Sequence, residues 1–281
     1  MGPEKHDRRS REPASRLGSG KRPHRVKRVL ITGASGLVGR VLIERLSDRY
    51  DLVAHSRKPS SHAGAVGDIS SFETVLSIVA DTAPHAIVHL AAAAAVESPW
   101  PEVLSSNVIG TYNVFEAARS TGVELVVFAS SNHVIGGYEF EGSPSLYRID
   151  DTRLYDEHSE LKPDSLYGAS KVFGEALGRF YSDRLGVRVI CLRIGSVVKE
   201  DDPAIAARSG SGDWLGLTPD QLLLRYQATW LSQRDCAELF ACALESQVPW
   251  AVAYGTSDNR RKIWDLTSAR ELLGYRPIDG A

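Results

Sequence analysis

Tyr167 and Lys171 stand four residues apart, a spacing that puts a phenol and an ammonium on one face of a helix. The pair suits proton work. A phenol is a poor acid–base group at its ordinary pKa of about 10, and a lysine one turn away stabilises the phenolate and draws that value toward neutrality. About 130 residues earlier, Gly33, Gly36 and Gly39 follow the β-branched run Arg28–Thr32 in G-x-x-G-x-x-G spacing. Such a turn brings bare backbone and a helix N-terminus up to a pyrophosphate: the first glycine turns tightly, the second lets the phosphates approach, and the third packs helix on sheet. A dinucleotide cradle and a tuned phenol together describe an enzyme that moves a hydride.

Ser131, just past the strand read at Leu125–Ala129, is the expected partner that holds a substrate oxygen beside Tyr167. Ser35, Leu37 and Val38 belong with the three glycines in the expected cofactor cradle. Asp68, with Ile69 beside it, is placed to accept from the adenine amine. Leu90, Ala91 and Ala92 leave room for the adenosine ribose, Asn107 is a further expected contact, and Lys171 reaches the nicotinamide ribose near Tyr167. The second strand ends in His55-Ser56-Arg57-Lys58 where an NAD enzyme of this kind usually carries Asp or Glu for the ribose 2′-OH. Without that carboxylate a 2′-phosphate is not repelled and Arg57 or Lys58 can pair with it, which favours NADP, NAD staying open; Ser56 is a further expected cofactor contact.

The elements that position these groups alternate. Strands are expected at Arg28–Thr32, Asp51–His55, Ala63–Val66, Ala86–Leu90, Leu125–Ala129 and Arg188–Leu192. Helices are expected between them at Leu37–Ser47, Phe72–Asp81, Val103–Ser120 and Ser165–Leu185. Near-continuous apolar strands alternating with helices imply an α/β fold, a Rossmann-like doubly wound parallel sheet covered on both faces. After Gly195 the rhythm breaks: Lys199–Thr218 reads as a polar, mobile loop. Helices at Pro219–Trp230, Gln233–Glu245 and Trp264–Leu273 and a strand at Ala251–Tyr254 follow. Segments from about 197–232 and 250–281 form a small C-terminal substrate cap on a single domain, residues 27–281.

The 281-residue chain is 43% hydrophobic with net charge −2, which gives no general pull toward nucleic acid. Residues 1–26 are rich in Arg, Lys, Ser, Pro and Gly and are expected to be a disordered basic tail without the apolar core of a signal peptide. The longest apolar candidate, Leu90 to Val96, is too short to span a membrane. Cys191, Cys236 and Cys242 show no metal-ligand spacing and read as reduced thiols of a cytoplasmic protein, with no metal expected.

Four segments carry a family resemblance: Val127-Phe-Ala-Ser-Ser-Asn-His-Val-Ile-Gly136, Tyr167-Gly-Ala-Ser-Lys171 with Phe173-Gly-Glu175, Leu192-Arg-Ile-Gly-Ser196, and Arg225-Tyr-Gln-Ala-Thr-Trp-Leu-Ser232. From about Lys27 to Pro277 the chain resembles the extended short-chain dehydrogenases/reductases of the NAD-dependent epimerase/dehydratase group, and within it is most similar to the uronate dehydrogenases. The resemblance implies that Ser131, Asn132 and His133 contact sugar hydroxyls. Tyr167 takes the proton of the anomeric hydroxyl while hydride leaves C1, giving an aldonolactone. Ser196 touches the substrate, and Arg225 binds a hexuronate carboxylate, a planar anion that a guanidinium fork matches. Homo-oligomers are usual for such relatives, and the helices at Val103–Ser120 and Ser165–Leu185 are the expected interface.

Two other readings stay open. A sugar-nucleotide epimerase or dehydratase, or a reductase of another carbonyl compound, uses the same groups. Those that hold a nucleotide need a larger carboxyl-terminal part than the about 255 residues left after the tail. A non-catalytic dinucleotide-binding regulator needs the glycines but not Ser131, Tyr167 and Lys171, and all three are present.

Overall fold

A computed structural model of the protein describes residues 1–2, 27–59, 64–210 and 213–281. Most of the expected tail therefore lies outside the described residues. Among the described residues seven strands form one all-parallel sheet: β1 (Arg28–Thr32), β2 (Asp51–Ser56), β3 (Ala65–Val66), β4 (Ala86–His89), β5 (Leu125–Ser131), β6 (Arg188–Ile194) and β7 (Trp250–Gly255). Their spatial order is β3-β2-β1-β4-β5-β6-β7, so the chain reverses direction across the sheet between β1 and β4. In a sheet of this kind the crevice at the strands' carboxyl ends beside that switch point is where ligands settle. The central strands β4 and β5 are buried throughout, which is why they read as unbroken apolar runs.

Helices cover both faces. On one, α1 (Leu37–Leu46), α9 (Gln233–Glu245) and α10 (Thr267–Leu273) pack over Val29, Ile31, Val88, Val127 and Leu192. On the other, α2 (Phe72–Thr82), α4 (Gly110–Thr121) and α6 (Leu166–Leu185) pack over Leu30, Ile87, Val126, Phe128 and Val189. The doubly wound expectation holds, and alternating side chains along each strand supply the two cores. Among the described residues no helix is long and apolar enough to cross a membrane.

Three departures from the sequence reading bear on the site. The third strand shortens to Ala65–Val66, part of the expected segment lying outside the described residues. The long helix begins earlier, with a turn of α-helix, α3 (Trp100–Glu102), and a π-helical stretch, Val103–Ile109, before α4. Finally, the stretch taken as a loop contains α7 (Pro203–Ser209), which meets α8 (Pro219–Thr229). Its start and stop are ordinary ones: the Asp202 carboxylate accepts from the backbone of Ala204 and Ile205, Pro203 sits in the first turn, and Gly210 ends the helix at φ +65°. At seven residues it is too short for apolar periodicity to stand out. Ala206 and Ala207 bury with Leu222, Tyr226 and Trp230 in a small separate cluster beside the sheet.

Two further short elements build the wall beyond the end of β5. A 3-10 turn, Asn132–Ile135, follows β5 directly, and α5 (Gly137–Gly142) continues from it.

Candidate active site

A cleft of about 1240 Å³ runs along the carboxyl ends of the strands, from the glycine turn to the wall formed by α7 and α8. At one end Gly33 adopts φ +73°, and a Cβ there would lie 2.6 Å from the Ala91 amide nitrogen. A Cβ on Gly39 would meet the Ala34 backbone at 2.6 Å, which fixes the close approach of α1 to the turn. Gly36 differs. It is exposed, caps α1 with no side chain, and its missing Cβ would meet only the Gly33 carbonyl, at 3.3 Å. The first amides of α1 are thus left to an outside acceptor, an arrangement that fits a dinucleotide pyrophosphate. Ser35, Leu37 and Val38 line the cleft here.

Next come His55, Arg57, Asp68 and Ile69. Backbone hydrogen bonding from Ser70 holds the Asp68 carboxyl below its ordinary range, and Arg57 adds to this. Ser56 does not reach the cleft: it is buried and its hydroxyl donates to the Lys58 carbonyl at 2.6 Å. The side chain facing the cleft is instead His55. Its Nε2 lies 3.1 Å from the Gly67 carbonyl, which can only accept, so Nε2 carries a proton. Burial lowers the His55 pKa, which disfavours the charged imidazolium.

Leu90, Ala91 and Ala92 line the middle of the cleft. Asn107 does not. From the π-helical stretch its side chain accepts from the Ala93 amide at 2.7 Å, donates to the Ala93 carbonyl at 3.0 Å and donates to Ser170 Oγ at 2.9 Å. Its place is behind the wall, clamping the loop after β4 to α6; the widened turn brings it there.

At the far end β5 runs to Ser131 and turns at once, which sets Ser131, Asn132 and His133 beside Tyr167 on the cleft wall. Ser131 Oγ accepts from the His133 amide at 3.2 Å and so caps the 3-10 turn. The Tyr167 pKa is raised, chiefly by burial; the Ser131 hydroxyl opposes the rise and Asp164 adds to it. Lys171 does not supply the lowering that the spacing suggests. Its ammonium donates to the Ala129 carbonyl at 2.7 Å and sits 5.5 Å from the Tyr167 ring centre, behind the cleft wall. Burial brings Lys171 itself down to about 8. The spacing does place both side chains on one face of α6, but β5 folds over the ammonium.

Sequence reasoning missed three residues. Asp164, just before α6 and with its side chain fully buried, lies 2.6 Å from His133 Nδ1 and accepts from Ser165 Oγ, which caps the same helix. Trp214 lines the cleft and packs against His133, with ring centres 5.4 Å apart. Glu139, buried on α5, accepts from Tyr147 at 2.6 Å, from Asn132 at 3.3 Å and from Arg225 Nε at 2.8 Å. Asp164 and Glu139 had no signal in the sequence, because their partners come from other elements that only the fold brings to them. Ser196 faces the cleft with its hydroxyl 2.9 Å from that of Thr229. Arg225 also faces the cleft, but not with a free fork: Nε and Nη2 are both engaged by Glu139, the latter at 3.4 Å. Burial works against the Arg225 charge and Glu139 outweighs it, so the guanidinium stays protonated. Among the described residues no cluster of acids, histidines or cysteines could hold a metal.

Comparison with known proteins places the chain in a family. The family model for the NAD dependent epimerase/dehydratase family matches residues 29–208. NAD-dependent glucose-6-phosphate dehydrogenase of Haloferax volcanii is 36% identical over 262 residues, covering 90% of this chain and 94% of its own. L-arabinose 1-dehydrogenase (NAD(P)(+)) of the same organism is 33% identical over 261 residues, covering 90% and 97%. A point mutant of uronate dehydrogenase from Agrobacterium tumefaciens, crystallised with NAD, superposes with a TM-score of 0.73 at 32% identity, covering 92% of this chain and 86% of that one.

Proposed function

Because this chain belongs to the NAD dependent epimerase/dehydratase family and is a nicotinamide-dependent dehydrogenase of the extended short-chain type, we propose that its cleft oxidises C1 of a free aldose to the lactone. The observation that carries the reading is the shared wall of Ser131, His133 and Tyr167 at the end of the cleft opposite the glycine turn. A bound nicotinamide would supply the hydride acceptor for C1. Everything else falls to the chain. Tyr167 takes the proton of the anomeric hydroxyl, and Ser131 holds that oxygen by hydrogen bonding. His133 and Asn132 orient neighbouring hydroxyls, with Ser196 opposite. Lys171, donating to the Ala129 carbonyl behind the wall, anchors the helix that carries Tyr167 against β5.

The adenosine end supports NADP over NAD. Arg57 lies on the cleft wall after β2, where a guanidinium can pair with a 2′-phosphate, and His55 brings no negative charge to repel one. The sugars named for the relatives span a phosphorylated hexose, a pentose and a uronate. The test is reduced-nicotinamide absorbance with NAD or NADP across glucose, glucose 6-phosphate, L-arabinose, glucuronate and galacturonate, with Tyr167→Phe as control. Reduction by at least one aldose, lost with Tyr167→Phe, is the expected result. A folded protein that binds the cofactor and oxidises none of them rules the proposal out.

A further inference from the structure

Resting on the aldose reading, we infer that Glu139 is a specificity-determining positioning residue: it neutralises Arg225 from behind the cleft wall and selects against a sugar carrying a carboxylate. Glu139 and Arg225 are almost wholly buried, at 2% and 4% exposure, and only Arg225 reaches the cleft. A carboxylate is gripped best by two parallel N–H donors of one fork. Here Nε and Nη2 already face Glu139, at 2.8 and 3.4 Å, so one edge of the fork is taken. An incoming carboxylate finds a guanidinium whose charge is already matched, and a second anion nearby. In a buried setting, two carboxylates sharing one cation leave a net negative charge, which is strongly unfavourable.

Glu139 cannot step aside easily. Tyr147 donates to Oε2 at 2.6 Å and Asn132 donates to Oε1 at 3.3 Å, so breaking the ion pair would strand a buried acid among fixed donors. On its cleft side Arg225 lies under the Trp214 ring, 5.4 Å from its centre. That leaves a flat, charge-balanced surface suited to a hydroxyl or an amide rather than to an anion.

Glucuronate and glucuronamide have nearly the same shape and differ in charge, so their comparison isolates the effect. The measurement is kcat/KM for each sugar, or the inhibition constant of each against whichever aldose is turned over. Wild-type protein is expected to favour the amide at least tenfold. Glu139→Gln, which keeps the shape and releases the guanidinium, is expected to shift the ratio toward the carboxylate by at least tenfold. Adding Arg225→Gln removes that gain. Equal use of the two sugars by wild type, a preference for the carboxylate, or an unmoved ratio in folded Glu139→Gln overturns the inference. If Glu139→Gln does not fold, the wild-type ratio alone decides. Failure of every aldose would instead sink the proposed function, a distinguishable result.

Discussion

His133 Nδ1 lies 2.6 Å from Asp164 Oδ2, and the imidazole meets the Tyr167 ring edge-on at 5.6 Å. Asp164 immediately precedes Ser165, the cap of α6, so the turn that starts the helix of Tyr167 also fixes the imidazole. A carboxylate only accepts, so Nδ1 carries a proton and the contact fixes the orientation of the ring. Asp164→Asn is expected to lower kcat/KM about tenfold or more while the protein stays folded. Asp164→Ala, which strands the imidazole and Ser165, should lower stability by roughly 2–3 kcal/mol in urea unfolding. An Asn variant with unchanged kinetics would remove the pair from the chemistry.

Tyr167→Phe deletes one oxygen and leaves the ring contacts. Steady-state oxidation should fall by about a thousandfold, within the range usual for losing a general base. Cofactor affinity, read by the fluorescence of the bound reduced nicotinamide, should change less than threefold. A variant retaining a tenth of the activity would assign the base elsewhere.

The pH dependence follows from two shifts of known sign. Tyr167 is raised above its ordinary value, and only its phenolate accepts a proton, so kcat/KM for oxidation should climb steadily from pH 7 to 9 and beyond. A flat profile across that range would contradict the assignment. Lys171 is lowered from 10.5 to about 8, so between those values the folded protein binds fewer protons than the unfolded chain. Stability from this group therefore rises with pH through that window, the burial penalty being largest below it. In thermal melts the advantage of Lys171→Met over wild type should shrink between pH 7.5 and pH 10.

The glycine turn separates folding from binding. Gly33→Ala combines φ +73° with a Cβ 2.6 Å from the Ala91 nitrogen and should destabilise by about 3 kcal/mol or more. Gly36→Ala meets only the Gly33 carbonyl, at 3.3 Å, and should melt within a few degrees of wild type while weakening cofactor binding at least tenfold. Calorimetric titration beside melting curves reads both, and unaltered cofactor binding in Gly36→Ala would move the pyrophosphate away from this turn.

Arg57→Asp exchanges a cation for the acid that reads a free 2′-hydroxyl. The ratio of kcat/KM with NADP to that with NAD should fall by at least tenfold. If the ratio holds, Arg57 does not touch the adenosine ribose.

Much of this protein was written locally. Strand β1, α9 and the start of β5 fall where the apolar pattern places them, because a strand buried on both faces must be apolar throughout and a covering helix apolar on one stripe. Gly33 declares its turn because only glycine tolerates that backbone and that approach. Tyr167 and Lys171 share a face because helical spacing demands it. What Lys171 and Arg225 do with their charges was not written there. Lys171 turns to the Ala129 carbonyl because β5 lies against α6, and Arg225 is matched by Glu139 from 86 residues away because α5 and α8 converge behind the cleft. Residue type and spacing fix a side chain's direction on its own element; a charge's partner depends on which distant element the fold packs against it, and in a buried site that partner decides what the charge can still bind.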